Sequence, residues 1–278
     1  MQRALSLLIG VALLLSAAPS AGATEQPTRR GVAFTFDDGV SARGIREILA
    51  VAVAERTPIT FFPTALSLQR FPQIWREISD AGFAIGNHTE GHRSLTLLLA
   101  TSGEVAVRAA ITGWREEARA IGIKTIPYLR PPYGERSTAT DRIAGSVGIT
   151  HVLNWGATFA DTAPRCSGTI AKRIAHATIG GEGVIVLAHT GAKGRAYEPM
   201  TARIFAQVIA SYLDRGITPV SLDTMFGAPE RVIDWTLAAL ATSAPAKLDQ
   251  PRVPTAAPAP YRDAELKLSP GAAAGVCG

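Results

Sequence analysis

Cysteine and charge are both scarce in this chain. Only Cys166 and Cys277 occur among 278 residues, which excludes a metal site built from cysteines. One disulfide tying the C-terminal tail to the domain and two free thiols are both compatible with that count in an oxidising compartment. Charged residues make up 18% of the chain, and the formal net charge of +5 comes from basic residues scattered among acids. Nucleic-acid binding needs a clustered basic face, so no nucleic-acid partner is expected. There is no internal repeat. Beyond the N-terminus no run reads as apolar enough for a bilayer span, which takes about 20 residues.

What is present is apolar and long enough to fold. With 47% hydrophobic residues over 278 positions, the chain can form one large α/β domain or two small ones. Its first residues, Met1-Gln2-Arg3, lead into the apolar run ALSLLIGVALLL and then Ala21-Gly22-Ala23. That order is expected of a secretory signal peptide over residues 1–23, with a retained membrane anchor as the alternative. Cleavage after Ala23 would leave 27 basic and 23 acidic residues, no further membrane span, and a secreted or periplasmic protein.

Strand-like and helix-like segments then alternate. VAFTF, ITFFPT, FAIGN, IPYLRP, THVLNW, VIVLAH and ITPVSL read as strands. Ile45–Glu55, Phe71–Ala81, Glu104–Ile121, Thr169–Ala177 and Thr201–Arg215 read as helices. Gly82, Gly122 and Gly216 stand where helix C-termini are closed by glycine. Such alternation without an internal linker predicts one α/β domain over residues 24–228, a parallel (β/α) sheet of about seven repeats curled into an incomplete barrel. Residues 229–278 are expected to hold one more helix, over Arg231–Ala241, and an Ala/Pro-rich tail.

The polar residues with chemical potential follow the predicted strand ends. In a parallel barrel those ends share one face, where active sites are built. GNHTEGH places His88 and His92 four residues apart with Glu90 between them. In the zinc-protease signature H-E-x-x-H the glutamate directly follows the first histidine on a helix; here it is one place late and glycine interrupts the stretch, so the pair is expected on a loop leaving a strand. Two imidazoles suit a divalent transition metal but leave it short of ligands. Asp37-Asp38-Gly39 follows VAFTF, Arg130-Pro131-Pro132-Tyr133 follows IPYL, Asp161 follows VLNW, and His189 ends VIVLAH. Singly each has a plain structural reading, as a turn or a satisfied core residue; five groups at five strand ends are harder to read that way. Asn87-His88-Thr89 formally matches a glycosylation sequon, but it overlaps the histidine pair, so glycosylation is not expected.

Thr35-Phe36-Asp37-Asp38-Gly39, His88-Thr89-Glu90-Gly91-His92, Arg130-Pro131-Pro132-Tyr133 and Leu187-Ala188-His189 resemble four of the five ordered motifs of the NodB-type polysaccharide deacetylases, carbohydrate esterase family 4. The resemblance runs from about Gly31 to Phe226. It implies a distorted parallel (β/α) barrel and a metal-dependent hydrolase that removes N-acetyl groups from a glycan such as peptidoglycan, a chitin-type oligosaccharide or an exported polysaccharide. By the same resemblance Asp38, His88 and His92 hold one divalent metal ion, Zn2+ by donor type. Asp37 is the general base, oriented by Arg130, and His189 is the general acid, tethered by Asp161. The backbone N–H of Tyr133 shares the oxyanion, while Leu187, Tyr133 and Trp155 line the substrate pocket.

The fourth motif departs from the family pattern. Thr158 stands where an aspartate is usual, Thr162 where a tryptophan is usual, and Thr190 where an aspartate often follows the histidine. Substrate preference is the property these departures touch. Three rivals remain in view: an O-acetyl esterase on xylan-like polymers, an inert glycan-binding module on the same fold, and a metalloprotease, against which the misplaced Glu90 argues. The sequence leaves the oligomeric state open.

Overall fold

A computed structural model describes Pro27 and residues 30–162, 170–190 and 200–243. The expected signal peptide, Cys166, Cys277 and the Ala/Pro-rich tail lie outside the described residues.

Among the described residues the strands are β1 (Val32–Asp38), β2 (Ile59–Pro63), β3 (Ala84–Ile85), β4 (Tyr128–Leu129), β5 (His151–Val152), β6 (Ala157–Thr158) and β7 (Val184–His189). The helices are α1 (Ala42–Ala54), α2 (Ala65–Arg70), α3 (Pro72–Asp80), α4 (Leu95–Ala120), α5 (Thr138–Ser146), α6 (Ile170–Ala177), α7 (Met200–Leu213), α8 (Leu222–Met225) and α9 (Trp235–Ser243). One parallel sheet runs β3-β2-β1-β7-β6, and β4 pairs with β5 in a second. A parallel bridge between Asn87 and Leu129 links the two sheets. The strands therefore follow one another as β5-β4-β3-β2-β1-β7-β6, with β5 and β6 as unpaired ends, an incomplete barrel as the sequence predicts.

The central strand β1 explains the layering. Val32, Phe34 and Phe36 pack outward with Ile45, Ile48 and Leu49 of α1 and Phe205, Val208 and Tyr212 of α7. Phe205 meets Phe34 and Phe36 edge-on at 5.1 Å each, contacts worth about 0.5–1.5 kcal/mol apiece beyond their buried area. The alternate residue Ala33 faces the interior cluster with Phe62, Ala84, Tyr128 and Leu153. Strand alternation thus sends Ala33, Thr35 and Asp37 to the inner side.

Several expectations need correction. ITPVSL forms no strand; it contributes one bridge from Pro219 to Val32 and then turns into α8. β6 was not expected, nor were α2 and α5. These two are short helices set by their caps: Thr64 accepts from the Ser67 N–H, and Ser137 and Thr140 form a reciprocal capping box in which threonine takes the usual Glu/Gln place. α4 starts nine residues before the expected Glu104 because it is two helical segments joined across Gly103, at φ 77°. By length and composition α4 could cross a membrane, contrary to expectation. The break at Gly103 leaves neither half at the about 20 residues a span takes, and Val107, Ile111, Trp114 and Ala118 are buried inward. α9 packs on α1 and α3, with Ala238 and Ala241 buried in the main core, so that core extends beyond residue 228.

Candidate active site

The functional side chains gather at the C-terminal ends of the strands. In a regular strand Asp37 and Asp38 would point to opposite faces. Asp38 instead has φ 73°, a conformation costly for a residue other than glycine. Its carboxylate reaches the loop between β3 and α4, where Oδ1 lies 3.3 Å from His88 Nε2 and 3.2 Å from His92 Nε2. Gly39, at φ 74°, completes the turn; a Cβ there would lie 2.1 Å from Ser67 Oγ. Asp37 stays on the inner face, buried, with Oδ2 accepting from Arg130 Nη1 at 3.4 Å.

Candidate ligand atoms from Asp38, His88 and His92 all lie within 4.8 Å of one another. Three features of the cluster fit a divalent ion. The Asp38 Oδ1 is buried with no hydrogen-bond partner, so it lacks the satisfaction a structural carboxylate would find. His88 Nδ1 lies 2.8 Å from the Arg130 carbonyl, which fixes that nitrogen as the donor and leaves the Nε2 lone pair for a metal. The donor set of one carboxylate and two imidazoles suits zinc and keeps a coordination position open. Burial would raise the Asp38 pKa, but His88 and His92 outweigh it and hold the carboxyl well below the usual range. Burial likewise works against a charged His88, and Asp37 and Asp38 override it to raise its pKa.

Two braced groups flank the cluster. Arg130 is fully buried, with its guanidinium 5.0 Å from the Phe62 ring and 5.5 Å from the Trp155 ring, and Nη2 donating to Thr35 Oγ1 at 3.1 Å. Thr35 in turn donates to the Val186 carbonyl at 2.9 Å, so β1 and β7 together fix the arginine that fixes Asp37. Across the strand pair, His189 sits in register with Asp37. Its Nδ1 lies 2.9 Å from Asp161 Oδ1, while its backbone N–H donates to Asp161 Oδ2 at 2.8 Å. Burial pushes the His189 imidazole down, yet the charge and hydrogen bond of Asp161 dominate and raise its pKa to about 9.

The remaining expected residues also lie at this end. Tyr133 has φ 62° in a 3-10 turn, is half exposed, and its ring stands 4.7 Å from that of His92. Leu187 is buried beside Thr35 on the inner face, one alternation before His189. Trp155 stacks on Arg130 rather than standing free. Thr158, in the departed fourth motif, accepts from the Ala160 N–H at 3.1 Å and closes the turn that delivers Asp161. Asn87 is buried and doubly bonded, donating to the Ile111 carbonyl and accepting from the Thr89 N–H, so the sequon offers no accessible amide. Sequence reasoning missed Phe62, the further work of Thr35, and Thr201, which donates to Asp161 Oδ2 at 2.5 Å; no motif spacing marks Phe62 or Thr201.

A family model described as polysaccharide deacetylase matches residues 24–152, and solved structures of carbohydrate esterase family 4 share the fold. Over that stretch the chain is similar to the polysaccharide deacetylase family. Among relatives of this deacetylase family, a peptidoglycan-N-acetylglucosamine deacetylase of Bacillus cereus is 27% identical over 197 residues, 70% of this chain and 68% of the relative. Chitin deacetylase 1 of Saccharomyces cerevisiae is 32% identical over 120 residues, 43% of this chain; the chain spans only 37% of that protein's length. The structure of Bacillus subtilis PdaA, a family 4 carbohydrate esterase, superposes with a TM-score of 0.60 at 26% identity, over 75% of this chain and 84% of that one.

Proposed function

We propose that this chain is a metal-dependent hydrolase that removes N-acetyl groups from a glycan. The observation that carries the proposal is the arrangement around Asp38, His88 and His92: a braced carboxylate on one side and a braced imidazole on the other. A glycan-binding module has no use for either brace. Asp38, His88 and His92 would hold the ion, and Zn2+ is the ion their chemistry favours. When bound, it supplies Lewis acidity, polarising an acyl carbonyl and making water more acidic.

The chain's own groups then divide the proton transfers. Asp37 Oδ1 is buried and without a partner while Arg130 engages Oδ2, so one oxygen is held and the other is free to take a proton from water. The Tyr133 backbone N–H, in its strained turn, donates to the developing oxyanion. His189, kept protonated by Asp161, gives its proton to the leaving amine from Nε2. Leu187 lies by the acyl methyl, and Trp155 shares in the sugar wall while stacking on Arg130.

Peptidoglycan and chitin are the glycans named for the relatives, and both carry N-acetylated sugars, which supports that substrate class here. Export through the N-terminal segment, ending at Ala23, belongs to the same proposal and gives the site access to an envelope or extracellular polymer. The test is acetate release by zinc-reconstituted protein from N-acetylated glycans and from O-acetylated xylan. Release from the former, lost on chelation and restored by metal, supports the proposal. Release from acetylated xylan alone selects the esterase, and none from any substrate contradicts hydrolysis.

A further inference from the structure

Threonine hydroxyls inside helices usually return to a carbonyl one turn back. Thr101 and Thr112 of α4 do so, donating to the Leu97 and Arg108 carbonyls at 2.9 and 3.0 Å. Thr201, in the first turn of α7, behaves differently. Fully buried, its Oγ1 donates at 2.5 Å to Asp161 Oδ2, across 40 residues of sequence. The same oxygen accepts the His189 backbone N–H, and Oδ1 faces His189 Nδ1. Thr201 is therefore the one donor to this carboxylate, among the described residues, that does not belong to His189.

The mount of Thr201 is firm. α7 buries Phe205 against Phe34 and Phe36 of the central strand, and against Phe159 at 6.1 Å. Phe159 lies two residues before Asp161, so one helix braces both the backbone that delivers Asp161 and the carboxylate itself. A hydrogen bond to an ionised acceptor is stronger than a neutral one, and partners of this kind set the orientation of the groups that do chemistry.

We infer that Thr201 is a positioning residue for the acid pair, holding the Asp161 carboxylate so that His189 stays aimed at the leaving group; the inference rests on the hydrolase function proposed above. Without the hydroxyl, Oδ2 keeps only a backbone donor and the carboxylate is freer to turn. The imidazole it holds then loses its fixed direction.

The experiment compares Thr201→Val, which removes the hydroxyl at similar volume, with Thr201→Ser, which keeps it. In the zinc-loaded full chain, Thr201→Val should lower kcat about 10-fold, the low end for such second partners, with KM within about twofold. Thr201→Ser should restore most of the rate. In an Asp161→Ala background, Thr201→Val should cost nothing more, because the acceptor is gone. A second readout needs no turnover: in folded metal-free protein, the His189 Nδ1 proton should give a sharp downfield NMR signal in the unsubstituted chain and Thr201→Ser, and an exchange-broadened one in Thr201→Val. If the unsubstituted chain releases no acetate from any glycan, the proposed function fails and the NMR signal alone decides the role of Thr201. The inference is overturned if folded Thr201→Val keeps full kcat, loses rate equally in the Asp161→Ala background, or leaves the Nδ1 signal unchanged.

Discussion

Asp37 and Asp38 are neighbours on β1, yet both carboxylates converge on one ring: Oδ2 of Asp37 and Oδ1 of Asp38 lie 3.9 and 3.3 Å from His88 Nε2. The positive φ of Asp38 makes this possible by turning the second aspartate out of strand alternation toward His92. Strain of this kind, on the order of 1–3 kcal/mol, persists where the surroundings over-determine it. Thr89, His92 and Tyr133, all at this end, share the same left-handed backbone region.

The turn that carries this strain has no room to change. Gly39→Ala would place a methyl 2.1 Å from Ser67 Oγ and 2.7 Å from the Trp75 ring at φ 74°. It should lower stability by about 1–3 kcal/mol. Denaturant unfolding of the variant checks this, and an unchanged midpoint would contradict it.

The acid pair should be visible by titration. In metal-free protein the His189 imidazole should titrate at about 9, because Asp161 outweighs burial. Asp161→Asn removes the largest contribution that favours the charged ring and leaves Asp38 and Asp37 alone to oppose burial, so the His189 pKa should fall. A general acid must be protonated to work, so under the proposed mechanism turnover of the zinc-loaded protein should decline as pH rises through its own His189 pKa, and the decline should move to lower pH in the variant. NMR titration of both proteins decides it; equal pKa values would show that Asp161 does not tune His189.

Metal binding should be linked to pH through His88. Its pKa is raised above 6.5 in the metal-free cluster, where Asp37 and Asp38 overcome its burial, and a ligating imidazole must be neutral. Zinc affinity should therefore weaken by at least about tenfold for each pH unit below that pKa, the effect of the proton competing at His88 alone. Zinc titration at a series of pH values measures the slope. A flat affinity from neutral pH into the acid range would exclude His88 as a ligand.

The C-terminal boundary can be placed by truncation. Ending the chain after Ser243 removes only residues beyond the described core and should leave both stability and acetate release near those of the full chain. Ending it after Ala228 also removes α9, with Ala238 and Ala241 in the core, the Trp235 ring 5.9 Å from Phe83, and the Ala241 carbonyl that accepts from Arg46. That truncation should cost more than about 2 kcal/mol. Equal stability of the two shortened chains would contradict the packing.

Much of the site was legible in the sequence because chemistry and position coincide there. Asp37, Asp38, His88, His92, Arg130, Asp161 and His189 follow predicted strand ends, and a parallel sheet brings those ends together whatever the details of closure. What was not legible depends on side chains meeting across elements. Thr35 looks like an ordinary strand residue until Arg130 and Val186 are seen on either side of its hydroxyl. Thr201 lies on a helix face among apolar neighbours, and its partner is 40 residues away. The short helices α2 and α5 lack an extended apolar period and depend on caps at Thr64 and Ser137. ITPVSL has the composition of a strand, but Pro219 and the Ser221 cap convert it to one bridge and a helical turn.

The division of labour between the two aspartates is the central claim, and metal content measured beside turnover tests it most directly. Asp38→Ala removes one of the three proposed ligands, so bound zinc and activity should fall together. Asp37→Asn keeps the shape and the Arg130 contact but removes the basic oxygen, so zinc should stay bound while kcat drops by about 100-fold or more. Elemental analysis and kinetics on an N-acetylated glycan give both numbers for each variant. Loss of zinc from Asp37→Asn, or near-full turnover by it, would contradict the assignment of Asp37 as the base.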